Sequence, residues 1–506
     1  MPAAPQLQPD PYEQGLKASA GGHHLEAISC FEQALAGRPD DTRVLFALGN
    51  TARALGLVEA AQSFYGRVLE LEPGRIEAVV NLANLMRSNA QYPAAEALLM
   101  PALARNPESP ELLMTMGSVA RETGRNAEAE RHYRKALDIR PDYASAMANL
   151  ADMHAEAGDH AEAFALYCDA IKHEPTNAQM RLNRAMLHFL TGNLRDGWSD
   201  YEARLKFPDK AIRADHGLKP WDGGNLKGKR LLLTAEQGVG DQIMFASVIP
   251  ELSERAKSEG GSVILECEPR LVSLFARSFA DVTVRPSHIE TRGGEITAHY
   301  GWLKHEGGAN RAIPAGSLPR YMRFSLANFS NPNAYLVTDT GENDRWRTFF
   351  SGVAPHIGIC WRSGKLGGAR TIQYAPLEMW GAFLRTVPGT IVCAQYDANQ
   401  DEITALEALS GRKIVIPPTL NQKNELDRTA AMLSALEMVM SAPTAVSWLS
   451  AAAGTTTLKL LYETSWTSFG ENFEPFAPAC ICVQPEKPGD WTTVFDKATA
   501  AIRARF

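Results

Sequence analysis

The chain has 506 residues, 45% of them hydrophobic and 22% charged, with a formal net charge of -7 at pH 7 and a pI near 6.0. That length exceeds what one hydrophobic core can organise, so two or three domains are expected. The mildly acidic balance, with no Lys/Arg stripe interleaved with aromatics, argues against nucleic acid as a partner. Seven scattered cysteines (Cys30, Cys168, Cys267, Cys360, Cys393, Cys480 and Cys482) form no Cys-x-x-Cys pair, and no histidines stand at zinc-ligand spacing. They read as reduced thiols. Residues 1–10 are Pro- and Gln-rich, and no apolar run is long enough to span a bilayer, so a soluble, cytoplasmic chain without membrane insertion is expected.

From residue 8 a strict internal period governs the sequence. Pro39, Pro73, Pro107, Pro141 and Pro175 lie 34 residues apart, in register with Gly15, Gly49, Ala83, Gly117, Ala151 and Ala185 and with Phe31, Tyr65, Leu99, Tyr133 and Tyr167. Small residues where helices touch, a large residue filling the next gap and a proline ending the second helix predict a helix–turn–helix solenoid over 8–207. The pattern resembles the tetratricopeptide repeat (TPR), with five clear units and a sixth, around Ala185, Trp198 and Tyr201, that departs from it as a junction. Such stacks form grooves for extended peptides. Asn81, Asn149 and Asn183 share one repeat position on the first helix. Each is read either as an acceptor-protein contact that bonds a peptide backbone or as a bridge to a neighbouring helix.

Residues 208–224, with Pro208, Pro220 and a Gly-Gly pair, have no helical period and read as a connector. Strand-like runs then alternate with helical ones: 230–236, 262–268, 281–286 and 296–300 in a first series over 225–338, with a helix over 241–258. A second series over 339–506 opens with a hinge helix at 339–350 and continues with strands at 356–361, 390–394, 413–416 and 436–440. Two parallel-sheet α/β units are the economical reading.

Three stretches carry chemistry. The turn Ala235-Glu-Gln-Gly-Val-Gly-Asp241 follows the first strand and opens a helix; its glycines permit close backbone approach, but Ile243 replaces the third glycine of a dinucleotide fingerprint. Asp241 is read either as a helix-dipole cap or as a general base facing a cleft. The segment 360–370 holds Arg362, Lys365 and Arg370, cations suited to an anionic leaving group, while its glycine spacing and Leu366 rule out a P-loop. Residues 441–454 follow a strand and open a small-residue helix that Thr444 caps. That helix start reads as a phosphate seat, alone or with the cations.

Taken together, these residues resemble bacterial TPR proteins carrying a GT-B glycosyltransferase domain, related to heptosyltransferase-like and O-linked GlcNAc transferase-like enzymes. The resemblance rests on Trp221-Asp-Gly-Gly, the Ala235–Asp241 turn, Ser317-Leu-Pro-Arg320, Gly358-Ile-Cys-Trp361 with Arg370-Thr-Ile372, the helix from Thr444-Ala-Val446 to Gly454, and Gly489-Asp-Trp491. It implies an α plus α/β fold class, a TPR solenoid followed by a GT-B pair of Rossmann-like domains (acceptor side 225–338, donor side 339–506). It also implies Asp241 as general base, a donor site at Arg362, Lys365, Arg370, Thr444, Ala445 and Trp448, and no metal or cofactor beyond a nucleotide sugar, CMP-linked among the options. The Pro-Thr-Ala-Val-Ser-Trp version is most similar to flagellin-modifying transferases, which implies flagellin as the partner and a nonulosonic sugar. Pro443 and Trp448 stand where many relatives have Asp and His. That leaves two outcomes open: a different donor, or a non-catalytic TPR adaptor with a degenerate transferase domain. A nicotinamide-dependent oxidoreductase is a poorer third reading.

Overall fold

The computed structural model describes residues 10–207, 212–236, 238–292, 295–329, 334–350, 352–364 and 368–506. The chain forms two compact units, 1–180 and 181–506.

The first unit is a series of antiparallel helix pairs: α1 (Pro11–Ala20) with α2 (His24–Gly37), α3 (Thr42–Ala54) with α4 (Val58–Leu71), α5 (Ile76–Ser88) with α6 (Tyr92–Arg105), α7 (Pro110–Glu122) with α8 (Asn126–Ile139), and α9 (Ala144–Glu156) with α10 (His160–His173). The register has a steric cause. A Cβ added at Gly15, Gly49 or Gly117 would lie 2.5, 2.6 or 2.7 Å from the ring of Phe31, Tyr65 or Tyr133, all wholly buried. The tyrosine hydroxyls then bond the residue fifteen positions back: Tyr65 to Asn50 (2.7 Å), Tyr133 to Ser118 (3.2 Å) and Tyr167 to Asp152. The turn between paired helices takes a left-handed residue, glycine at positions 22, 56, 124 and 158, but Ala90 (φ 57°) in the third pair.

The period does not end the unit at residue 207. Helices α11 (Ala178–Leu190) and α12 (Leu194–Tyr201) carry the repeat register onward, yet from Arg181 the chain belongs to the second unit. Phe189, Trp198 and Tyr201 pack there against Trp466 and Phe469, with ring centroids 5.3–6.4 Å apart. The departures of the sixth repeat are these aromatics.

The second unit holds two parallel sheets. After β1 (Ile212–Ala214), the first series runs β2 (Arg230–Thr234), α13 (Val239–Ala246), α14 (Ile249–Glu259), β3 (Ser262–Cys267), α15 (Val272–Ser278), β4 (Thr283–Pro286), β5 (Ile289–Arg292), β6 (Glu295–Ala298), β7 (Arg311–Pro314) and α16 (Pro319–Met322). The sheet order is β4-β3-β2-β7, while β1, β6 and β5 form a small separate sheet. The 296–300 run is therefore not the fourth core strand; the short Arg311–Pro314 is. The helix expected over 241–258 is broken between α13 and α14, where Pro250 sits in the first turn of α14.

The second series runs α17 (Thr340–Phe349), β8 (His356–Cys360), α18 (Leu377–Leu384), β9 (Thr390–Cys393), α19 (Gln400–Ser410), β10 (Ile414–Val415), α20 (Leu426–Ser434), β11 (Met438–Ser441), α21 (Ala445–Ala452), β12 (Thr457–Leu460), β13 (Phe473–Glu474), β14 (Ala477–Val483) and α22 (Trp491–Arg505). Its sheet order, β10-β9-β8-β11-β12-β14 with β13 antiparallel at the edge, is the 3-2-1-4-5-6 order of a doubly wound nucleotide-binding sheet. Arg277 of α15 joins the two halves through a paired salt bridge to Asp427 of α20 (2.6 Å on each arm).

Candidate functional site

Ligands of open α/β sheets lie beyond the carboxyl ends of the strands, where the strand order reverses. In these sheets the reversals fall between β2 and β7 and between β8 and β11. The β2 reversal carries the glycine turn, and the β11 reversal carries the start of α21. These two features touch: a Cβ added at Gly240 would lie 3.4 Å from Trp448 Cδ1 and 3.5 Å from Ala445 Cα. The amino ends of α13 and α21 therefore meet, and their dipoles both favour negative charge there.

Asp241, in the first turn of α13, is half-buried, and its carboxylate accepts the Gly238 N–H at 3.2 Å. Both readings of this residue thus have a geometric basis, a local cap and a carboxyl at a sheet edge. Burial raises its pKa and Glu236 adds to that, while the Gly238 N–H and Lys459 oppose it. Glu236, on the same turn, is itself salt-bridged to Arg204 at 2.7 Å.

On the other side, Thr444 is the N-cap of α21 as expected, its hydroxyl accepting the Val446 N–H at 3.2 Å and lying 3.3 Å from Ser441 Oγ. Trp448 is a core residue, 7% exposed, and its ring carries the Lys459 ammonium at 4.6 Å. Lys459 (4% exposed) is paired with Glu474 (0% exposed) at 2.6 Å, and Thr467 also donates to Glu474. Burial alone would push the Lys459 pKa down, but the Glu474 carboxylate holds it above its usual value. A buried ammonium thus lies between the second sheet and the Gly240–Asp241 turn.

The cationic loop is not what its charge count implied. The Arg362 guanidinium is bound on both arms by Glu402 (2.5 and 2.6 Å) and by Asp397 (3.1 Å), so it offers no free charge to a phosphate. Lys365 and the side chain of Arg370 lie outside the described residues. The backbone after β8 is set by Gln395, whose side-chain Oε1 accepts the Trp361 and Arg362 N–H groups at 3.0 Å each. Beyond β9 and β10 opens a cavity of about 640 Å³, lined among others by Tyr396, Asp397, Asn421, Gln422 and Glu425, with no Lys or Arg among the described residues of its lining. Gln422 Oε1 is buried there without a partner among the described residues, while its Nε2 donates to the Cys393 carbonyl at 2.9 Å.

In the first unit, Asn81 donates to Asn50 (3.0 Å) and Asn149 to the Met114 sulfur (3.7 Å), so both amides contact neighbouring helices. Asn183 is half-buried on α11.

Residues 12–75, 52–118 and 108–173 each match tetratricopeptide-repeat families. The N-terminal unit is a tetratricopeptide-repeat array. An array of this kind is a scaffold for protein recognition. Solved structures similar to the TPR region include TTC0263, a thermophilic TPR protein of Thermus thermophilus (25% identity, 35% of this chain and 96% of that one, TM-score 0.32), MamA (24%, 33% and 96%, TM-score 0.28) and PilW, a type IV pilus biogenesis factor (19%, 39% and 90%, TM-score 0.34). Among curated proteins, the chain is 30% identical to Protein FlbA of Caulobacter vibrioides (strain ATCC 19089 / CIP 103742 / CB 15) over 329 residues, 62% of this chain and 53% of that protein. The chain thus spans about half the length of that relative. Sixty-two per cent of the chain is more than the TPR unit contains, so the similarity takes in part of the α/β unit.

Lys459, Glu474, Gln395, Gln422 and Arg204 were not singled out from the sequence. One signal was present. In Thr457-Leu-Lys-Leu460 a lysine alternates with leucines, which places an ammonium on a buried strand face and calls for a partner.

Proposed function

We propose that the α/β unit is a GT-B-type glycosyltransferase working without a metal, and that the TPR array captures the protein it modifies. The observation that carries this reading is the meeting of two strand-order reversals at Gly240 and Ala445, with Asp241 in the turn there and a cavity of about 640 Å³ beyond β9 and β10 of the same second sheet. The cavity is rich in acceptors and has no cation among its described lining residues, which suits ribose hydroxyls and a base amino or imino group and repels phosphate. In this reading the nucleoside occupies the cavity and its phosphate lies toward the converging helix starts. Asp241 takes the proton of a Ser or Thr hydroxyl, that oxygen attacks the anomeric carbon, and the bond from that carbon to the phosphate oxygen breaks, the nucleotide leaving as the anion. Flagellin, the acceptor implied by the sequence resemblance, and a CMP- or UDP-linked donor are the first pair to test.

A second reading, a non-catalytic adaptor, is favoured by the neutralised Arg362. Co-expression with flagellin and intact-mass measurement separates the two. Transfer predicts a mass increase of one sugar or more that Asp241→Asn abolishes. Flagellin that binds the chain yet keeps its unmodified mass would reject the transferase for that acceptor.

A further inference from the structure

Arg204 is only 8% exposed and lies in a short 3₁₀ turn, Glu202–Lys206, that continues directly from α12. The turn is anchored from behind. Trp198 and Tyr201 sit in the aromatic cluster with Phe189 and Trp466, Trp198 Nε1 donates to the Arg323 carbonyl at 2.8 Å, and the Arg204 guanidinium stacks on the Tyr201 ring at 4.5 Å.

From that base the guanidinium reaches the glycine turn. Nη2 and Nε donate to the two oxygens of Glu236 (2.7 and 3.2 Å), Nη2 also donates to Ser317 Oγ (2.9 Å), and Nη1 donates to Glu202 (2.9 Å). Ser317 closes the ring by donating to Glu202 at 2.7 Å, and the Gly316 N–H donates to Glu236 at 2.6 Å. A Cβ at Gly316 would lie 2.6 Å from Glu236 Oε1 and 3.0 Å from Arg204 Nη2, so the network occupies the space a side chain would need. Glu236 is thereby fixed from three directions, five residues ahead of Asp241 on the same turn.

We propose that Arg204 is a positioning residue for transfer: by gripping Glu236 it fixes the turn that presents Asp241, and it neutralises the acidic neighbour closest to Asp241 in the chain. This rests on the transferase reading. The charged groups facing Asp241 are Glu236 on its own turn, with Arg204 behind it, and Lys459 on β12, with Glu474 behind it. A planar fork that engages both carboxylate oxygens sets direction as well as charge, which a lysine does not.

The test compares the full chain with Arg204→Met, Arg204→Lys and the double variant Arg204→Met/Glu236→Gln, the last removing the buried carboxylate that Arg204→Met alone would strand. Transfer to flagellin is followed against pH, and amide hydrogen exchange is followed over residues 238–246. Arg204→Met is expected to slow transfer by about tenfold to a hundredfold at an unchanged donor KM, to move the acid limb of the pH–rate profile upward, and to speed exchange in the turn. Arg204→Lys should retain more of the rate, and the double variant should restore the acid limb but not the rate. Wild-type rate and an unmoved acid limb in Arg204→Met would overturn both roles, and full recovery in the double variant would overturn the positioning role and leave charge neutralisation alone. If the wild type transfers nothing, the transferase reading falls for that acceptor, and unchanged exchange in Arg204→Met would separately show that Arg204 does not hold the turn.

Discussion

Lys459→Met is the most severe single change expected in the α/β unit. Methionine keeps most of the lysine's length, so the variant leaves little cavity and isolates the charge. It strands Glu474, a carboxylate with no solvent exposure whose remaining donors are the Thr467 hydroxyl at 2.9 Å and the Cys482 thiol at 3.5 Å, and whose second oxygen already lacks a partner among the described residues. Removing one member of a buried pair costs about 3–5 kcal/mol, and the cation over Trp448 is lost with it. With a urea slope of about 3 kcal/mol per molar, the unfolding midpoint should fall by about 1 M or more. The assay is clean because all nine tryptophans, the first of them Trp198, lie in the second unit, so their fluorescence follows that unit and not the TPR array. A midpoint within about 0.2 M of wild type at pH 8, below about 1 kcal/mol on the same slope, would mean that the pair is not desolvated as described.

Three further outcomes are expected. Ala90→Gly should stabilise the TPR array by about 0.5–1 kcal/mol, since the left-handed conformation at φ 57° strains alanine by more than the chain entropy glycine adds; circular dichroism of helix melting reads it. Burial raises the Asp241 pKa, so native stability declines as pH rises from the unfolded to the folded value and stays reduced above it. Asp241→Asn should therefore be more stable than wild type at pH 8, with the gap closing toward pH 4 in urea titrations. Gln422→Leu should weaken binding of CMP or UDP by about tenfold, the worth of one buried hydrogen bond, and calorimetric titration checks it; equal affinity would move the nucleoside out of the cavity.

The helix–turn–helix units were legible because each repeat makes the same contact, glycine or alanine against the next large side chain, so one packing rule is written five times at fixed spacing. The end of the array was not legible, because α11 and α12 keep the register while exchanging its partners for Trp466 and Phe469. Strand β7 is four residues ending in proline, too short to outcompete the more apolar 296–300 run, and only pairing to β2 reveals it. Thr444 as a helix cap could be read locally, since a cap involves neighbours two residues away. Arg362 could not: the carboxylates that neutralise it come 35 and 40 residues later, from the loop after β9 and the start of α19. The approach of Gly240 to Trp448 likewise joins segments about two hundred residues apart, whose apposition depends on how both sheets are wound.

The choice between enzyme and adaptor turns on what surrounds Asp241. Trp448 is more than filler: its buried ring is the face on which the Lys459 ammonium rests and the surface against which Gly240 closes. Two desolvated ion pairs, Arg204–Glu236 and Lys459–Glu474, flank one carboxylate. Packing alone gives little reason for them, because apolar residues of similar volume fill such positions at equal or lower free energy. The double variant Lys459→Met/Glu474→Leu puts that argument to use. With neither charge stranded, its tryptophan-monitored midpoint should return to within about 1 kcal/mol of wild type. If the chain is a transferase, Asp241 loses the cation that favours its ionised form, and transfer at neutral pH should fall while recovering as pH rises. If the folded double variant transfers at the wild-type rate with an unshifted pH profile, Lys459 has no part in setting Asp241.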